Sequence, residues 1–113
     1  TGYGIDIAGG QNVTITGNNI EASLENKPDN YNTGLCINIH KYLGTQAENI
    51  TVTGNIIKYG NGLALAEGVD MAIISNNTFL ECETALSIKD GVKNLNINNN
   101  FFNKSSLIAI KGD

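Results

Sequence analysis

Glu67 and Asp90 each stand directly before a glycine, and Lys41 lies further ahead in the chain. If the phrases "LCINI", "GLAL" and "ALSI" that precede them are equivalent strands of a repeat, the three residues fall on successive layers. The two carboxyl groups are then about one β-rung, ~5 Å, apart. A retaining glycosidase places its nucleophile and its acid/base at ~5–5.5 Å, whereas an inverting enzyme needs a wider gap. Glu67 and Asp90 are therefore candidate catalytic carboxylates. The bland alternative is equally concrete: "EG" and "DG" are ordinary turn dipeptides, and Lys41 beside them offsets part of their repulsion. Carboxylates in a turn can also hold calcium through oxygen ligands. No stretch spells a recognisable calcium loop, so no metal ligand is assigned.

His40 is the only histidine. On a strand end beside a loop it is a candidate general base, although a solitary surface histidine often has no role. Tyr31 and Tyr42, with Asp29, His40 and Lys41, fall in two stretches, 21–32 and 40–48, that flank a strand-like "LCINI". Tyrosine faces suit sugar rings, which offer C–H patches beside hydroxyls. Asp6 and Lys89 join Tyr31, Tyr42 and Lys41 as candidate substrate contacts, because alternation points them outward from first strands. Cys82 reads as a small buried hydrophobe. Cys36, between Leu35 and Ile37, is expected to point outward, and no disulfide is expected.

The chemistry has to be positioned by a repeat. "NVTITGNNI" at 12–20 returns as "NITVTGNII" at 49–57, as "AIISNNTF" at 72–79 and as "NLNINNNFF" at 94–102. Asn18, Asn55, Asn77 and Asn100 then share one position, the last three almost evenly spaced and the first set off by a longer gap. A shorter phrase precedes each copy: "GIDI", "LCINI", "GLAL", "ALSI" and finally "LIAI". Each unit reads strand, turn, strand, Asn turn, very short strand, turn. A recurring period of roughly 20–25 residues signals a solenoid, and alternation of period two makes it a β solenoid. Stacked apolar positions would line its interior, and the recurring Asn would form a hydrogen-bonded ladder. The longer first period comes from the insertions at 21–32 and 40–48. The four N-x-S/T sequons, at Asn12, Asn49, Asn76 and Asn103, read as the strand phrase itself rather than as glycosylation sites.

Composition agrees. Eighteen Asn, fifteen Ile and thirteen Gly, with no Trp and one Pro, mark a β-rich chain that turns often. Seven Lys, no Arg and a net charge of -4 argue against nucleic acid or an anionic membrane as partner. No apolar run approaches the ~20 residues of a membrane span, so no membrane insertion is expected. No signal-peptide pattern is visible.

These phrases resemble the right-handed parallel β-helix repeat of the pectate-lyase-like superfamily, in which "VTISGN-x-I" is typical. The resemblance implies an all-β fold: a right-handed, single-stranded parallel β-helix of about four coils with an internal Asn ladder. It spans 1–113 as one segment, expected to be part of a longer chain. It implies that loops flanking the first strand wall a carbohydrate cleft. It does not choose an activity, because the superfamily holds lyases, hydrolases, epimerases, phage tailspikes and inert shafts. Pectate lyases use an Arg or Lys base on a calcium-bound sugar. This chain has no Arg, and Lys89, the nearest substitute, lacks the accompanying acidic cluster. The Asp trio of polygalacturonases is not found either. The expected function is polysaccharide binding, extending to cleavage if Glu67, Asp90 or His40 act, in an extracellular or virion-surface protein. The alternative is a non-enzymatic structural shaft or adhesin module. A homotrimer, or end-to-end contact with other copies or the parent chain, would cover its ends.

Overall fold

Along each short strand side chains alternate in and out. A layer that repeats on so short a period therefore buries its apolar face only by stacking on the next layer. The structure, a computed structural model, describes residues 3–22, 35–105 and 108–110. Among these residues there are thirteen strands and no helix. The first coil holds β1 (Tyr3–Ala8), β2 (Gln11–Thr16) and β3 (Asn19–Glu21), and the second β4 (Leu35–His40), β5 (Ala47–Thr53) and β6 (Ile56–Lys58). The third holds β7 (Asn61–Leu65), β8 (Val69–Ser75) and β9 (Thr78–Leu80). The fourth holds β10 (Thr84–Ile88), β11 (Lys93–Asn98) and β12 (Phe101–Asn103), and β13 (Ile108–Ile110) begins a fifth.

The strands sort by their place in the coil into three parallel sheets, ordered β1-β4-β7-β10-β13, β2-β5-β8-β11 and β3-β6-β9-β12. This is an all-β, right-handed parallel β-helix of about four coils, the hand that parallel crossovers favour. The register matches the sequence columns. Ile5, Ile37, Leu63, Leu86 and Ile108 align, as do Ile7, Ile39, Leu65, Ile88 and Ile110. Ile37, Ile39, Ile50, Val52, Ile57, Ile74 and Phe79 are fully buried in the centre.

The Asn ladder is present and saturated. Asn18 donates from its backbone N and Nδ2 to Asn55 Oδ1, at 3.0 and 3.1 Å. Asn55 does the same to Asn77 Oδ1 (3.1 and 2.9 Å), and Asn77 to Asn100 Oδ1 (3.0 and 3.0 Å). The carboxamides of the next three rungs also donate to a carbonyl in the coil before: Asn55 to Ile15 O, Asn77 to Val52 O and Asn100 to Ile74 O, whereas Asn18 donates to Thr16 O in its own coil. Among the described residues no buried side-chain nitrogen or oxygen is left without a partner, as a buried amide requires.

Cys36 departs from the expectation of an outward thiol, being only 1% exposed. Strand β4 starts at a corner, so Cys36 and Ile37 both face inward before alternation begins. Its column runs Gly4, Cys36, Gly62, Ala85, and a Cβ on Gly62 would lie 2.6 Å from Ala85 O and 3.0 Å from Phe79 Cδ1. Cys82 is buried as expected, with its N–H donating to Ser105 Oγ at 3.1 Å, and both thiols are free. Burial pushes the Cys36 thiol up to about 11 and also raises Cys82. Native protein at pH 8 will therefore react with a thiol reagent at least ~10-fold more slowly than urea-unfolded protein. The fold will also weaken as pH rises from about 9 to about 11, where the unfolded chain has lost the Cys36 proton that the native chain keeps. Rapid native labelling would contradict both expectations.

A second Asn column lies on the outer surface. Asn12, Asn49 and Asn94 start the second-sheet strands in left-handed backbone, with φ of 57°, 56° and 55°. Asn49 Nδ2 donates to Asn12 Oδ1 at 2.7 Å. The third rung instead holds Met71, at φ 63° and 56% exposed. Left-handed backbone costs a residue with a Cβ ~1–2 kcal/mol, which Asn partly escapes by local hydrogen bonding. Met71→Asn is expected to raise stability by about 1 kcal/mol, read as a higher urea midpoint. A lower midpoint would mean that Met71 packing outweighs its backbone cost.

Candidate functional site

Charged and aromatic side chains gather on the outward face of the first sheet and on its turns into the second sheet. Asp6 on β1 and Asn38 on β4 are cross-strand partners, and Asn38 Nδ2 donates to Asp6 Oδ1 at 3.1 Å. His40, two positions further along the same face, reaches back diagonally. Its Nε2 lies 3.0 Å from Asp6 Oδ1, and its Nδ1 lies 2.7 Å from Lys41 O. Both ring nitrogens thus face oxygen acceptors. Neutral imidazole carries one N–H, so only the imidazolium donates to both. A general base needs a free lone pair, and His40 offers one only when a ligand displaces one of these contacts.

The insertion after β4 is a tight hairpin. Tyr42 and Thr45 exchange backbone hydrogen bonds at 2.9 Å each, and Leu43 and Gly44 between them both have positive φ, 50° and 81°. Positive φ at both central positions gives the type I′ turn that matches strand twist. The hairpin folds over Gly9, where a Cβ would stand 3.2 Å from Thr45 O. Tyr42 is left 56% exposed.

Lys41, Glu67 and Asp90 occupy equivalent turns of coils two, three and four, as the neighbouring registers require. Lys41 Nζ donates to Glu67 Oε1 at 3.0 Å across one rung. The glycines explain the dipeptides. Gly68 and Gly91 sit at φ 87° and 88°, and the side-chain stem of the preceding coil lies over each. A Cβ on Gly68 would meet Lys41 Cβ at 2.6 Å, and one on Gly91 would meet Glu67 Cγ at 3.0 Å. Glycine is needed here for both backbone and space. The exposed Lys41–Glu67 pair contributes little stability, ~0–1 kcal/mol.

A family model described as a right-handed β-helix region matches residues 1–112. The chain belongs to this family. No curated protein and no solved structure matches it.

This right-handed β-helix brings Asp6 to His40, and Lys41 to Glu67, with Tyr42 on the adjoining hairpin. Lys89 and Asp90 are exposed one coil further on, and among the described residues no ion pair or side-chain hydrogen bond holds them. Tyr31 and Asp29, with the other residues of the first insertion from 23 on, lie outside the described residues. Among the described residues no group of three His, Cys, Asp or Glu could hold a metal ion. Sequence reasoning missed Asn38 as the donor that shares Asp6 with His40. The outward pair Asp6/Asn38 was its only signal.

Proposed function

We propose that this β-helix module binds a polysaccharide along the outward face of its first sheet. The observation that carries the reading is the convergence of Asp6, Asn38, His40, Lys41, Tyr42 and Glu67 at one edge of three successive coils. Their bonding groups point away from a rigid core, with an exposed tyrosine on a raised hairpin beside them. Functional side chains on loops held by a stiff scaffold are where binding concentrates. Tyr42 supplies a face for sugar C–H groups, and the charged and amide side chains supply partners for hydroxyls or carboxylates. Binding is the core of the proposal. Cleavage would require Glu67 to leave Lys41, or His40 to leave one of its two acceptors. Such a module belongs at an extracellular or virion surface, where polysaccharides are met.

The test is binding and depolymerisation on a panel of bacterial capsule, lipopolysaccharide and plant polysaccharides. Lys41→Ala and Tyr42→Ala are each expected to weaken glycan binding about tenfold, a magnitude ordinary for one lost contact at a specific site. Product that disappears in Glu67→Gln or Asp90→Asn would add catalysis and make the stacked carboxylates its residues.

A structural shaft or adhesin module is the second reading, and one observation favours it. Three parallel sheets run in continuous register through successive coils, a frame that by itself supplies length and rigidity. No glycan binding by the folded protein would favour this reading.

A further inference from the structure

We infer that the outward face of the second sheet is a separate binding surface for an uncharged glycan, centred on Met71 and Ile73. Three outward columns start from Asn12, Thr14 and Thr16 on β2 and continue through β5, β8 and β11. None of the side chains in these columns is ionisable. On three coils the first two columns hold only Asn and Thr. On the third coil they hold Met71 and Ile73, 56% and 43% exposed. Around these two side chains lies a depression of about 460 Å³, lined by Asn49, Met71, Ile73, Asn94 and Asn96. That volume is in the ~300–1,000 Å³ range of small-ligand sites.

The lining selects the occupant. Asn49 donates to Asn12, Asn94 to Asp70, and Asn96 accepts from Asn98, each at 2.7 Å. Asn49 Oδ1, Asn94 Oδ1 and Asn96 Nδ2 keep their capacity for a ligand. A ring of acceptors and donors around an aliphatic floor matches sugar hydroxyls around a C–H face. Met adapts its shape to such a face readily. With no charge in these columns and -4 on the whole chain, an anionic polymer gains nothing here. A protein partner needs ~800 Å² on each side with an apolar centre, and two apolar side chains amid hydroxyls and amides do not supply that. Met71 also stands at φ 63°, at the one rung of its column that does not carry Asn.

The experiment is an ¹⁵N–¹H titration of the whole chain with cellohexaose, xylohexaose and maltohexaose, and with oligogalacturonate as the anionic comparison. At least one neutral oligosaccharide is expected to shift amides of β5, β8 and β11 around residues 49, 71–73 and 94–96. Met71→Asn with Ile73→Thr places at both positions residue types the other rungs already carry, so the variant keeps the fold, as its amide spectrum will show. It is expected to bind about tenfold more weakly or worse, as loss of two apolar contacts implies. The inference is overturned by no shift with any neutral oligosaccharide, by equal affinity in the double variant, or by preference for oligogalacturonate at this face. It is equally overturned if the patch mediates a concentration-dependent dimer that the double variant abolishes. Shifts confined to residues 38–42 would support the first-sheet reading and overturn this one.

Discussion

Asn77→Ala is expected to destabilise the protein by roughly 3–5 kcal/mol, a large part of a typical ~5–15 kcal/mol total. Asn77 is 1% exposed. Its side chain donates to Val52 O at 2.9 Å and to Asn100 Oδ1 at 3.0 Å. It accepts from the backbone N and the Nδ2 of Asn55. Alanine removes all four bonds and leaves Val52 O and the Asn55 N–H facing a dry void. Each buried group left without its partner costs ~1–3 kcal/mol. Asn77→Asp keeps the shape but is expected to do at least as much damage, because a carboxylate would face the oxygens of Val52 and Asn100. Asn18→Ala is the control. Asn18 is at the rim, where water replaces what is lost, so about 1 kcal/mol is expected. Urea unfolding of the three variants decides the matter. If Asn77→Ala and Asn18→Ala shift the midpoint equally, the ladder is not a unit of stability.

Phe79→Ala is expected to cost a further ~3–5 kcal/mol, the range for a large aromatic removed from a packed core. Phe79 is fully buried on β9 and stacks on Phe102 of β12, with centroids 5.1 Å apart and planes 9° off parallel. The column of small residues on the first sheet makes room for its ring. A Cβ on Gly62 would come within 3.0 and 3.1 Å of two ring atoms. Phe102, on the adjacent coil and more exposed, cannot fill the void without leaving its own rung. Phe79→Leu, which keeps most of the apolar volume, is expected to cost less than half as much. Calorimetry or urea unfolding measures both. Similar small losses for the two variants would show that the third sheet is loosely packed.

Asn77 was visible in the sequence because a solenoid makes its important contacts one period away. Whatever recurs with the period must touch its own copy, so the Asn column and the first-strand columns could be written down without coordinates. The stacking of Lys41, Glu67 and Asp90 followed from the same alignment of phrases, and the register places them so. The inward turn of Cys36 did not, because alternation fails where a strand begins at a corner. The strain at Met71 was encoded faintly, as a Met where three other rungs have Asn.

What the sequence determined by itself is therefore the β-helix, its register and, apart from Cys36, the columns of its interior. All of these follow from periodicity. What only the tertiary structure decided is how the surface side chains use that frame. Asp6 was shared between Asn38 and His40, Glu67 was given to Lys41, and Tyr42 was raised on a type I′ hairpin. Those choices depend on rotamers, on diagonal neighbours and on backbone handedness in the turns. None of these repeats with the period, so the repeat carries no record of them.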